Sequence, residues 1–126
     1  MSGPARAGLI IYALNRKLLV DFYCTVFTMH VLHQSDDLHV LSSNDIQIII
    51  HDVPEYLQPN DKVNLSVEPK VSTLKFFLST NNMIEAEQKI IEMGGGVLSE
   101  TWQTPLFTVK NAFDSEGNVF HLREFV

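Results

Sequence analysis

Cysteine is nearly absent: Cys24 is the only one. A lone thiol excludes an intrachain disulfide and a cysteine-rich zinc site. It falls on an apolar helical face, where a buried, inert thiol is expected. Nothing beside it in sequence supplies the cationic setting that activates a cysteine. Basic residues are scarce too, with Lys+Arg 9 against Asp+Glu 15 and a formal net charge of −6 at pH 7. No Lys/Arg cluster exists to neutralise phosphates, so no nucleic-acid partner is expected. Long hydrophobic runs are missing as well. No stretch approaches the roughly 18 residues of a membrane span, and no signal-peptide core follows Arg6. The expectation is a soluble, cytoplasmic protein without a membrane partner. What is present is an ordinary globular composition, 45% hydrophobic and 19% charged over 126 residues. That length suits one domain whose core needs no disulfide or structural metal.

The apolar pattern runs through the same order twice. Residues 7–14 are apolar, β-branched and aromatic, as a buried strand requires. Asn15 is placed to cap a helix over 16–28, in which Leu18, Leu19, Phe22, Val26 and Met29 recur at helical spacing. Residues 30–33, 38–42 and 45–51 read as short strands separated by polar turns. Pro54, Pro59 and Pro69 mark the following stretch as a linker. A strand over 73–79 then leads to a helix capped by Asn81 or Asn82 and carrying Ile84, Ile90, Ile91 and Met93. Gly94-Gly95-Gly96 ends that helix. Because these glycines follow a helix instead of opening one, they make no phosphate cradle. Strands over 97–102, 107–113 and 119–125 complete the chain. The organisation is therefore two β-α-β-β-β modules in one domain, at about 7–52 and 71–126, with the linker at about 53–70.

Three segments carry a family likeness. Asn15 is followed seven residues later by Phe22-Tyr23; Leu74 to Gly94 gives a strand, a polar cap and a helix ending in glycine; and Asp114-Ser115-Glu116-Gly117-Asn118 makes a tight turn between strands. In order and spacing the chain resembles the vicinal oxygen chelate superfamily, which includes glyoxalase I, extradiol dioxygenases, fosfomycin-resistance enzymes and bleomycin-resistance proteins. The turn is close to that group's Asp-Pro-x-Gly-Asn, with Ser115 in place of proline. The resemblance implies an α+β fold in which two modules, each a curled mixed sheet, form a cup. It also implies that small relatives pair as homodimers, with ligand sites between modules.

The same resemblance implies four metal-ligand positions, and this sequence fills them poorly. The first is Gly8, which has no side chain. Its counterpart in the second module is Lys75, whose ammonium has donors only. The fourth, three residues after Asn118, is His121. The second falls at Ile48 if the modules are matched through their last strands, but a slip of one residue exposes Gln47 and His51 instead. No cofactor is expected; the metal alternative rests on His51 and His121, with Gln47 at most a third, where a transition metal generally takes three or four oriented protein ligands.

Period-two alternation names the rest of the cup. From Gly8 one face carries Ile10 and Tyr12; from Lys75 it carries Thr73, Phe77 and Ser79; from His121 it carries Val119 and Arg123. This apolar lining with a few polar heads suits a small molecule. Tyr12, Lys75, Phe77, His121 and Arg123 are the ligand-binding candidates. Trp102 joins them, either closing over a pocket from a loop or pairing at a strand end. Lys75, His121 and Arg123 suit an anionic or carbonyl-bearing ligand. The plainer alternative has the two cations reaching solvent from strand ends and His121 as a satisfied core imidazole. Three functions follow: a metal-free binding protein holding a small molecule in a dimer cleft; a lyase, isomerase or dioxygenase-type enzyme with an altered metal site or His121 as its acid/base; and an interaction module with a filled cup.

Overall fold

Alternation along the first strand decides which side of its sheet is covered. In the computed structural model, which describes residues 5–57, 68–70 and 72–125, β1 (Gly8–Ala13) turns Ile11 and Ala13 inward and leaves Ile10 and Tyr12 exposed. Asn15 then caps α1 (Arg16–Val26), its side chain accepting from the Leu18 N–H at 3.2 Å. The helix stops before Thr28, whose φ of 54° is incompatible with another turn, so it ends short of its expected boundary. Three strands follow: β2 (His30–Gln34), β3 (Leu38–Ser42) and β4 (Gln47–Asp52). Their spatial order is β1-β4-β3-β2, with β1 parallel to β4 and the other pairs antiparallel. A short 3-10 turn, Glu55–Leu57, begins the expected linker. Linker residues 58–67 lie outside the described residues.

The second module repeats this plan. Its elements are β5 (Phe77–Thr80), α2 (Met83–Glu92), β6 (Gly96–Gln103), β7 (Phe107–Phe113) and β8 (Val119–Phe125), with strand order β5-β8-β7-β6. The β-α-β-β-β order read twice in the sequence is thus present twice, as two open, mixed, four-stranded sheets. Three details differ from expectation. The strand expected from Thr73 begins only at Phe77. Ser72 Oγ accepts from the Leu74 N–H at 3.2 Å and donates to the Leu74 carbonyl at 2.9 Å, a local turn that competes with the ladder. In α2, Ile84 and Ile91 are exposed, while Met83, Ala86 and Ile90 are buried. Asn82, accepting from the Glu85 N–H at 3.0 Å, fixes the helix start and so selects that face. Cys24 is half-buried, not buried; burial and then Asp21 push its thiol pKa up.

One apolar core serves both modules. Phe120 of β8 stacks on Phe76 and meets Phe22, Tyr23 and Phe27 from the α1 segment, with ring centroids 5.4–6.5 Å apart. The Asp114–Asn118 turn clasps that same helix. Tyr23 donates its hydroxyl to Asp114 Oδ2 at 2.6 Å, and Asp114 also accepts from the Glu116 and Asn118 N–H groups and the Asn118 amide. Asp114 is 0% exposed. Every partner is a donor, the arrangement an ionised carboxylate requires. Glu116 accepts from the Leu14 and Asn15 N–H groups, both at 2.9 Å, placing a negative charge at the start of α1. Gly117 completes the turn at φ 86°, where a side chain would overlap the Glu68 carbonyl. The turn therefore locks module two onto the helix of module one.

Candidate functional site

Each sheet buries one face under the helices and leaves the other open. On the second sheet the open face of β8 carries His121 and Arg123. The β7 register places Asn111 opposite His121, Val109 opposite Arg123 and Phe107 opposite Phe125. Phe77 pairs with His121 from the other side, and Trp102 pairs with Val109. Phe107, Val109, Asn111, His121 and Arg123 floor a groove of about 850 Å³, walled by Lys75, Trp102 and residues 103–106; Phe77, expected among its ligand-binding side chains, packs against Arg123 and is not in the lining. The groove is open, so this face is not packed shut by its own side chains.

Two cations meet in it. Lys75 Nζ donates to Asn111 Oδ1 at 3.1 Å, so its side chain reaches across β8 to β7. Arg123 places its guanidinium carbon 3.7 Å from the Phe77 ring centroid and 5.1 Å from that of Phe107. This packing shields Arg123 Nε, which has no hydrogen-bond partner. Among the described residues neither cation has a carboxylate partner, whereas Arg16, Lys17, Lys89 and Lys110 each have one. Between the two lies His121, whose pKa is lowered from 6.5, first by burial, then by Lys75 and Arg123. The imidazole is therefore neutral at pH 7, offering one donor and one acceptor nitrogen. Trp102 sits at the end of β6 instead of on a loop, its ring 6.3 Å from that of His121.

The first sheet treats its candidates differently. Its open face carries Gly8, Ile10 and Tyr12 beside Gln47, Ile49 and His51, in register along β1 and β4. The expectation of Ile48 at the second ligand position is corrected: Ile48 and Ile50 are 0% exposed and join Leu41 in the core, so alternation turns Gln47 outward. A Cβ at Gly8 would lie 2.8 Å from the Gln47 carbonyl oxygen, so the close approach of β4 itself favours glycine there. His51 lies edge-on to Tyr12, with ring centroids 5.8 Å apart, and its Nε2 is 3.4 Å from Asp37. His51 and His121 thus belong to different sheets. Among the described residues no three His, Cys, Asp or Glu side chains could hold a metal together. The four implied positions offer a glycine, an amide, an ammonium and one imidazole, a donor set that does not fit a transition-metal centre. Tyr12 lies outside the groove of His121. It shares an adjoining groove of about 580 Å³ with Ile10, Leu74 and Lys75, and Lys75 stands between the two.

Three β7 side chains of the groove escaped the sequence reading. Phe107, Val109 and Asn111 sit at alternate positions of β7, and extending period two from His121 across the 114–118 turn would have found all three. No comparable signal exists for the Pro105–Leu106 wall, which depends on how the connection folds back.

Solved structures share this architecture. A glyoxalase/bleomycin resistance protein/dioxygenase family enzyme from Burkholderia phytofirmans PsJN superposes with a TM-score of 0.69, at 12% identity over 93% of this chain and 95% of that one. The chain has the glyoxalase/bleomycin-resistance fold. The fosfomycin resistance protein FosX of Mesorhizobium loti shares it at a TM-score of 0.67 and 9% identity, covering 99% of this chain and 95% of its own. So does a bleomycin-binding protein solved with bleomycin, at 0.63 and 12% identity, covering 98% and 100%. By sequence, neither a family model nor a curated protein matches. Among the described residues no helix is long and apolar enough to cross a membrane.

Proposed function

We propose that this protein binds a small anionic molecule on the open face of its second sheet, in a homodimer cleft and without a metal. The observation that carries the reading is the convergence of Lys75 and Arg123 on one groove, unneutralised among the described residues, in a chain of net charge −6. Charged donors beside apolar walls make strong hydrogen bonds to an anion. A protein of this fold solved with bleomycin supports small-molecule binding. Dimerisation is supported by large apolar side chains left exposed on the open faces and their rims, among them Ile10, Tyr12, Leu74, Phe77, Leu106 and Phe125.

A thermal-shift panel of small carboxylates, phosphates and phosphonates tests the reading, because a ligand of the folded state alone raises stability. At least one anion should raise the melting temperature of the native protein and do so much less in Lys75→Met. A panel in which no anion stabilises the protein would refute it. A second reading, acid/base catalysis, has one specific observation in its favour: His121 is neutral at pH 7 and lines the groove. Once a ligand is found, turnover lost with affinity kept in His121→Ala would establish it.

A further inference from the structure

We propose that the occupant of the second-sheet groove is a compact aromatic monocarboxylate, its carboxylate held by Lys75 and Arg123 and its ring by Trp102. The inference rests on the anion-binding reading above and narrows the ligand to one chemical class.

Three features of the groove select that class. The first is a cluster of charge set among apolar walls. Lys75, which precedes β5, reaches Asn111 of β7, and His121 and Arg123 stand on β8, while Trp102, Pro105, Leu106 and Phe107 supply apolar surface around them. A small multiply charged ion would leave its far side against apolar walls, which is unfavourable. A molecule with one anionic head and an apolar body matches both surfaces.

The second feature is the geometry of the donors. Arg123 is held between Phe77 and Phe107, and its Nε is shielded, so only its two terminal nitrogens remain to meet a ligand. Two terminal N–H groups on a fixed plane match the two oxygens of a carboxylate. Lys75 gives one proton to Asn111 and keeps two. That bond occupies the Asn111 carbonyl oxygen. Neutral His121 adds one N–H without adding a third positive charge.

The third feature is size. Trp102 pairs with Val109, and Val109 pairs with Arg123, so their backbones lie two strands apart, about 10 Å. The indole ring itself comes within 6.3 Å of the His121 ring. A ring seated on the indole therefore lies close to the donors, which suits one or two fused rings bearing a carboxylate and leaves no room for an extended acyl chain between them. Trp102, at 41% exposure, keeps indole surface available to such a ring.

Titration calorimetry of the full chain with four probes tests the class: 2-naphthoate, 2-naphthamide, decahydro-2-naphthoate and 2-naphthyl phosphate. The expected result is that 2-naphthoate binds tightest, that the uncharged amide binds at least about tenfold more weakly, and that the saturated acid binds about fivefold more weakly. Lys75→Met should weaken 2-naphthoate about tenfold and leave the amide unchanged; Lys75 is exposed, so this variant folds. Trp102→Leu should erase the preference for the aromatic over the saturated acid. Equal binding of both acids, or tighter binding of the phosphate, would overturn the aromatic monocarboxylate while leaving the anion site standing. Equal binding of acid and amide, or no binding by any anionic probe, would overturn both.

Discussion

Tyr23→Phe isolates the contact that ties the two modules. The substitution removes one hydroxyl and keeps the ring that packs on Phe22, Phe27 and Phe120. Asp114 Oδ1 keeps three donors, but Oδ2 is left with the Asn118 amide alone at 3.0 Å. Losing a hydrogen bond to a buried charged group costs about 2 kcal/mol, which lowers the melting temperature by about 8 °C in a chain of this length. The pH dependence follows from direction alone. Burial raises the Asp114 pKa above 3.8, while its hydrogen bonds, that from Tyr23 foremost, hold it down. Between 3.8 and the raised folded value the native state binds more protons than the unfolded one, so stability falls as pH rises through that window. Removing the Tyr23 donor raises the folded pKa further and widens the window. The penalty of Tyr23→Phe should therefore be largest where Asp114 is ionised and shrink as pH falls and Asp114 protonates. Urea unfolding of both proteins between pH 4 and 7 measures this. A variant within about 0.5 kcal/mol of the native protein at pH 7, or a pH-independent difference, would refute the clasp.

Two further outcomes follow. Glu116→Ala removes the carboxylate that accepts from the Leu14 and Asn15 N–H groups and should cost about 1 kcal/mol, read by the same unfolding assay; no change would mean that water replaces it fully. His121 should titrate below 6.5 by NMR, and its midpoint should rise in Lys75→Met, because the Lys75 charge is one cause of the shift; an unmoved midpoint would place Lys75 away from the imidazole in solution.

The fold was readable because its signals are local and repeated. Asn15 and Asn82 cap their helices as expected, and the strands follow their β-branched runs. What sequence could not set was register within uniformly apolar stretches. Along residues 46–51, five apolar or amphipathic side chains fit either face, and only packing against Leu41 and α1 puts Ile48 inside. The site was half legible for a related reason. His121, Arg123 and Phe77 emerged from alternation on single strands. The bond from Lys75 to Asn111 spans 36 positions and exists only through strand order. The clasp between Tyr23 and Asp114, 91 positions apart, is equally invisible to local patterning. The family-like turn is explained by it: Asp114 and Asn118 are spent on holding α1, independently of any ligand.

The central claim is that a positive groove exists on an acidic protein, and Trp102, the only tryptophan, sits in its wall to report on it. Collisional quenching of its fluorescence by iodide and by caesium, at matched low ionic strength where surface charge is least screened, tests that directly. Net charge of −6 alone would favour caesium. The groove predicts the reverse: iodide quenches more strongly, and its advantage falls in Lys75→Met. Caesium quenching as strong as or stronger than iodide would contradict the account.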